Sequence, residues 1–366
     1  MWGSPVQVVR NAAGGRVADQ TDRERDDDHV PGAADGYGRV DGPGPRGGIG
    51  VDGGLGIEGP RELRDVRRFS HEAMATVFEV HGVHPDARYA AQAAQAAFDL
   101  ADRLERELSR FLPNSDIGRV NHLAAGESTQ VSPSTMECLL IARHAFDLTG
   151  GAFDVSIGTG LPSLDLDPDD FLVRATRSGV RIDLGGIGKG YAVDLMAELL
   201  EEWGLDLALV HGGFSSVLAL EPPAGRDGWP LTLSDPGAPS RVLAHLSVRQ
   251  TALGASGLRK GDHIVDPRTG EPARGRRAAW VAVPRPEVAG PEARTDSGPR
   301  LAAAAVADAL TTAFMLLSPG EIEALCEQSP GLEAWILPEP AEGRHGEASL
   351  LHVGGSRPGS PPAKRR

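Results

Sequence analysis

Cysteine is nearly absent: the chain of 366 residues has two, Cys138 and Cys326, far apart and each inside an apolar helical run. That excludes a disulfide framework and a thiolate metal site, and it leaves two buried structural thiols. Positive charge is also in deficit. Lys and Arg number 37 against 51 Asp and Glu, for a net charge of −14, which argues against non-specific nucleic-acid binding. No apolar run reaches the ~20 residues of a membrane span. No internal repeat is present. What remains is a chain with 40% hydrophobic residues, long enough for one large or two ordinary domains with a sizeable core.

The ends differ from the middle. Residues 1–65 are rich in Gly, Asp, Pro and Arg with hardly any aliphatic clusters. Such a segment buries too little apolar surface to offset its ordering entropy, so a disordered extension is expected. Residues 339–366, ending "GSRPGSPPAKRR", read as a flexible tail. The catalytic domain is expected over 66–338. The N-terminal stretch has neither the apolar core of a signal peptide nor a lipobox cysteine, so the expected location is the cytoplasm.

Helices and strands mix in the middle. Residues 87–108 carry Ala97, Leu100, Leu104 and Leu108 on one stripe and predict a helix, stopped by Pro113. Residues 134–149 predict a second, closed by Gly150 and Gly151. Residues 301–317 and 321–326 predict two more. "MATVFEVHG", "LALVHGG", "SSVLAL", "LTLSD", "VLAHLSV", "AAWVAV" and "LEAWIL" read as strands. Clustered hairpin-like strands with separate helices predict an α+β fold: one domain of mixed, largely antiparallel sheets with flanking helices.

"RIDLGGIGKGYAVDLMAELLEEW", residues 181–203, resembles a nucleotide-binding turn. "VRIDL" reads as a strand. Val193, Met196, Leu200 and Trp203 form the apolar stripe of a helix, with Asp194, Glu198, Glu201 and Glu202 on other faces. The glycine spacing fits neither a Walker A loop nor a dinucleotide fingerprint. On the local pattern, a plain tight turn and an anion site at a helix N-terminus with Lys189 beside it stand equal.

Other stretches share this character: "ELSRFLPNSDIGRVN", "GAFDVSIG", "HGGFSS", "ASGLRKGDHIVDPRTG" and "ADALTTAFMLL". In this order, from about residue 74 to 337, they resemble the ApbE family, the FAD:protein FMN transferases. "HIVDPRTG" together with "IDLGGIGKG" carries most of the specificity. The resemblance implies that the chain takes FAD and Mg²⁺, moves the FMN half onto a Ser or Thr hydroxyl of an acceptor redox protein, and releases AMP. Neither nucleic acid nor a membrane span is expected.

The family pattern assigns Mg²⁺ ligation to Asp308, Thr312 and a backbone carbonyl at Gly186. On spacing alone, Asp308 and Thr312 also read as a solvated helix edge with a back-bonded hydroxyl. Lys189 pairs with the phosphates in this pattern. Met74, Phe111, Ala152, Phe153, Asp154, Asp183, Ser256 and Ile264 match FAD-contacting positions. Core packing is the alternative for Met74, Phe111 and Phe153, and turn capping for Asp183. His263 is the candidate general base, since an imidazole titrates near neutrality. Asp262 and Asp266 are available to orient it. Residues 161–181 are shorter than the family's usual segment, and Phe111 stands where Tyr is common. The same metal and lysine would also serve an FAD pyrophosphatase, and a non-catalytic FAD-binding module is the remaining alternative.

Overall fold

The computed structural model describes residues 6–9, 55–57, 65–213, 215–258, 264–285, 302–340 and 349–355. The chain runs β1 (Val6–Val9), β2 (Leu55–Ile57), β3 (Arg67–Ala73), β4 (Thr76–Gly82), α1 (Ala87–Leu108), α2 (Asp116–Val120), β5 (Ser128–Gln130) and α3 (Pro133–Leu148). It continues with β6 (Leu164–Asp167), β7 (Leu172–Ala175), α4 (Gly188–Glu202), β8 (Ala208–Gly212), β9 (Ser216–Ala219), β10 (Trp229–Asp235) and β11 (Ala238–Val248). Then come β12 (Thr251–Gly257), β13 (Arg276–Pro284), α5 (Ala303–Phe314), α6 (Pro319–Gln328), β14 (Glu333–Pro338) and β15 (Leu351–Gly354). Among the described residues no helix is long and apolar enough to cross a membrane.

Every strand pair among the described residues is antiparallel. The central sheet has eight strands in the order β15-β14-β13-β12-β9-β8-β4-β3. A four-stranded sheet, β1-β11-β10-β2, and a three-stranded one, β5-β7-β6, are the other sheets among the described residues. The expected α+β architecture is therefore observed. Alternation along the central strands feeds two cores. Val210, Leu218, Ala252 and Val281 pack with the helices. Leu209, Val217, Leu253 and Trp280 pack with Trp229, Leu231 and Leu246 of the four-stranded sheet.

The expected ends need correction. β1 and β2 lie within the stretch expected to be disordered, and β15 lies within the expected tail. Each is a short apolar run that adds backbone hydrogen bonds to an open sheet edge, as Val6–Val9 does on β11 and Leu351–Gly354 on β14. An unpaired edge is a template, so three or four residues suffice without a hydrophobic core of their own. The remainder of those segments lies outside the described residues.

"VRIDL" is not a strand: residues 180–183 take no regular secondary structure and Leu184 opens a 3₁₀ turn. A side chain substitutes for the neighbouring strand. Asn121 Nδ2 donates to the Ile182 carbonyl at 2.9 Å, and Asn121 Oδ1 accepts from Ile182 N at 2.5 Å. Asp183 N donates to the Val155 carbonyl and Arg181 N to Thr159 Oγ1. The short segment 161–181 is not featureless either: β6 and β7 form a hairpin within it.

Helix α5 is buried along almost its whole surface, with Thr312 the one exception in its span. Its alanines allow backbone-close packing. A Cβ on Gly190 of α4 would lie 2.2 Å from the Ala304 carbonyl oxygen, and one on Gly254 of β12 would lie 2.6 Å from that of Ala307. Ala302 offers α5 no side-chain cap. Asp194 caps it instead, accepting from Ala304 N at 3.0 Å and Ala305 N at 2.8 Å. Asp194 lies off the apolar stripe of α4 yet is buried, because an N-terminus buried in a core needs an acceptor and α4 supplies it. Burial pushes its carboxyl up to about 7, against the pull of those two N–H donors.

Gly190→Ala should cost about 3 kcal/mol or more, at or above the top of the usual overpacking range, because the obstacle is backbone. Urea unfolding measures this; a wild-type midpoint would contradict the backbone-close contact.

Candidate active site

The site grows from the turn into α4. Asp183 caps a single 3₁₀ turn, Leu184–Gly186, and its Oδ1 accepts from Gly185 N at 2.9 Å. The capping alternative for Asp183 is thus realised, and its Oδ2 also lies 3.1 Å from Arg110 Nε. α4 follows at Gly188 without a side-chain cap from Ile187. Lys189 falls in its first turn, with Nζ 3.3 Å from the Gly185 carbonyl.

Against this turn stands Asp308, buried on α5. Its Oδ2 accepts from Gly190 N at 2.8 Å, and Ser216 Oγ lies 2.7 Å from both of its oxygens. Burial pushes the carboxyl up to about 6, while Lys189, Ser216 and the Gly190 N–H pull it down. Thr312 Oγ1 lies 3.3 Å from the Asp308 carbonyl, the back-bonded geometry, and 3.5 Å from Ser256 Oγ. Ser256 Oγ donates to Thr311 Oγ1 at 2.9 Å. A Cβ on Gly186 would lie 3.7 Å from Thr312 Oγ1 and 3.2 Å from the Phe153 ring. Gly186, Lys189, Ser256, Asp308, Thr312 and Phe153 therefore converge, from segments far apart in sequence.

The other expected residues take varied places. Ala152, Phe153 and Ile264 are buried. Asp154 binds its own loop, accepting from Ser156 N, Ser156 Oγ and Gly158 N. That loop holds Ile157 exposed at φ 48°, a conformation β-branched residues rarely adopt. Phe111 is 77% exposed, with the Arg110 guanidinium 4.4 Å from its ring centroid. Met74 and Ala75, at φ 50° and 56°, form the two-residue turn between β3 and β4. Such turns normally use Asn or Gly. Gly213, at the neighbouring β8–β9 turn, donates its N–H to the Val77 carbonyl. A Cβ there would strike Thr76 Oγ1 at 2.1 Å. The strained Met74 turn and the turn leading to Ser216 are therefore locked together.

His263 and Asp262 lie outside the described residues. Asp266 is engaged elsewhere: Arg268 Nε and an Arg268 terminal nitrogen bind its two oxygens at 2.9 and 2.7 Å, and this pairing holds its carboxyl below the usual range. Sequence reasoning missed Ser216 and Arg110. Ser216 was within reach, since "HGGFSS" had been singled out, whereas Arg110 shows its partner only in three dimensions.

Residues 74–162 and 158–293 match the model of the ApbE family. The chain is 28% identical over 297 residues to the FAD:protein FMN transferase of Treponema pallidum (strain Nichols), across 68% of this chain and 77% of that protein. It is 24% identical over 249 residues to the FAD:protein FMN transferase of Vibrio cholerae serotype O1, across 57% of this chain and 73% of that one. Its fold matches the flavin transferase ApbE of Vibrio cholerae with a TM-score of 0.64 at 19% identity, covering 79% of this chain and 97% of that one. The ApbE protein of Thermotoga maritima matches with a TM-score of 0.63 at 21% identity, with the same coverage.

A carboxyl whose folded pKa lies above its unfolded value favours the fold when protonated. For Asp308 that contribution is complete below about pH 4 and is lost as pH rises through about 6. In chelator, wild-type stability should therefore decline relative to Asp308→Asn across this window, by on the order of 2–3 kcal/mol. Urea unfolding of both proteins against pH reads the difference in slope; parallel curves would contradict the perturbed carboxyl.

Proposed function

We propose, from the premise that the chain belongs to the ApbE family, that it is a flavin transferase: it moves the FMN moiety of FAD onto a Ser or Thr hydroxyl of an acceptor protein and releases AMP. The observation that carries this reading is the buried Asp308 carboxylate, held by Ser216 and the Gly190 N–H beside Lys189 at the N-terminus of α4. A pyrophosphate brings negative charge that a helix N-terminus and a lysine can receive.

The residues fit Mg²⁺. It prefers hard oxygens, and the Asp308 carboxylate, the Thr312 hydroxyl and the Gly186 carbonyl form such a set, with Gly186 beside Thr312 Oγ1. Burial raises the Asp308 pKa, a sign of negative charge that a cation would stabilise. When bound, Mg²⁺ would neutralise the pyrophosphate. Lys189 would add its positive charge to the phosphates. Arg110, paired with Asp183, would offset that carboxylate's charge beside the nucleotide. Phe111 offers a flat exposed face to a ring, and Met74, Ala152, Phe153, Asp154, Ser256 and Ile264 would shape the rest of the FAD site. His263 would take the proton of the acceptor hydroxyl as it attacks phosphorus, and the AMP oxygen leaves. The acceptor fits a redox protein that gains a phosphodiester-linked flavin.

Incubating the full chain with FAD, Mg²⁺ and an acceptor bearing a flavinylation-type Ser or Thr tests the reading. Covalent flavin, seen by in-gel fluorescence, should match AMP released. His263→Ala should slow transfer on the order of a hundred- to ten-thousand-fold and still bind FAD. AMP with free FMN and unlabelled acceptor would make the chain a pyrophosphatase. Tight FAD binding with neither product would make it a carrier. An unimpaired His263→Ala enzyme would overturn the base assignment alone.

A further inference from the structure

The face of the central sheet turned away from α5 holds a second polar cluster that the transfer site does not use. Glu79 and His81 of β4 are two residues apart and share a face. Glu79 stands opposite His211 of β8 in the antiparallel register. His211 in turn stands opposite Val217 of β9, which belongs to the core between the two larger sheets. Ser216, one residue earlier, reaches Asp308 on the helical face. The two sites are thus on opposite sides of one sheet.

Within the cluster, Glu79 Oε2 accepts from His81 Nε2 at 2.9 Å and from His211 Nε2 at 3.0 Å. One ligand atom from each residue lies within 4.8 Å of the others. The imidazole rings stack with centroids 5.7 Å apart. The side chains of Glu79, His81 and His211 are 5%, 11% and 2% exposed. Arg68 binds the other carboxylate oxygen, Oε1, and so leaves Oε2 to the imidazoles.

Two features distinguish this from an ordinary ion-pair network. First, both rings aim the same nitrogen, Nε2, at one oxygen. Ligands about 2.0–2.2 Å from a tetrahedral ion sit about 3.3 Å apart, close to the spacing already present. Second, a buried charged network in an apolar layer seldom stabilises a fold more than apolar packing would. A bound cation would make its burial favourable.

We propose that Glu79, His81 and His211 bind a divalent transition-metal ion of the zinc type, clamping β4 to β8. Two imidazoles and one carboxylate suit zinc and discriminate against Mg²⁺, which favours oxygen ligands. The site is therefore separate in chemistry as well as in place from the one at Asp308. His81, the most exposed of the three, marks the route of access. The clamp has a mechanical consequence. β4 begins at the strained Met74–Ala75 turn, and β8 ends at Gly212, before the turn that carries Gly213. Fixing their pairing would fix both turns at the transfer site.

The test uses the tag-free full chain, stripped with chelator and titrated with Co²⁺ alone in excess Mg²⁺. One equivalent of Co²⁺ should produce the visible bands of a four-coordinate ion, and Zn²⁺ should bleach them. X-ray absorption of the Zn²⁺-loaded protein should show imidazole nitrogen with oxygen and no sulfur. Glu79→Gln and His211→Gln alter a buried network and can unfold the chain. His81→Ala, at the rim, is therefore the deciding variant. Checked as folded by circular dichroism, it should bind Co²⁺ at least about 100-fold more weakly, since losing a ligand exceeds the loss of an outer partner. Wild-type protein without bands, coordination lacking imidazole, or a folded His81→Ala with undiminished uptake would each overturn the proposal.

Discussion

Helix α5 approaches α4 and β12 so closely that only glycine fits at Gly190 and Gly254. Much of the site's geometry follows from that contact. It brings the Gly190 N–H within 2.8 Å of the Asp308 carboxylate, so the residue that permits the approach also anchors the acid. It buries the start of α5, which then takes its cap from Asp194 of α4. Two carboxyl groups are drawn into the interior, Asp194 at the start of α5 and Asp308 midway along it, and burial raises both pKa values. Asp194 is matched by the helix N-terminus. Asp308 has one hydroxyl, one N–H and the charge of Lys189, a set that leaves it receptive to a cation.

The end of the central sheet next to Asp308 concentrates backbone strain. Met74 and Ala75 occupy left-handed conformations in adjacent positions, and Ile157 does so in the loop organised by Asp154. Each such residue costs on the order of 1–3 kcal/mol and persists only where its surroundings over-determine it. Here the surroundings are identifiable: the Gly213–Thr76 contact on one side and the Asp154 hydrogen bonds on the other. The sheet thus presents a rigid rim to the site while its opposite face holds the Glu79 cluster.

Elements whose stability is local were readable from the sequence. α1 shows its stripe over the expected residues 87–108, and α3, expected over 134–149, runs over Pro133–Leu148. Non-local partners were not. "VRIDL" has the composition of a strand, yet Asn121, about sixty positions earlier, supplies the hydrogen bonds. The capping role of Asp194 is invisible in the sequence because its partners, Ala304 and Ala305, lie 110 and 111 residues on. β1, β2 and β15 depend on an edge that exists only after the sheets form. The site divides in the same way. Gly186, Lys189, Asp308 and Thr312, which converge in space, are singled out in the sequence only by the order of the motifs, since no spacing within one segment identifies them. Glu79 and His211, 132 residues apart, become neighbours only through the β4–β8 register. The twin "VHG" triplets in those strands were the available hint.

On the proposed reading, α5 positions Asp308 and Thr312, with the Gly186 carbonyl, around the cation that would accompany FAD. Anomalous scattering from crystals grown with FAD and Mn²⁺ in place of Mg²⁺ tests it most directly. A peak is expected within coordination distance of Asp308, Thr312 and the Gly186 carbonyl, on the flank of the FAD pyrophosphate. FAD bound with the Mn²⁺ peak elsewhere, or with no contact to Asp308, would contradict it.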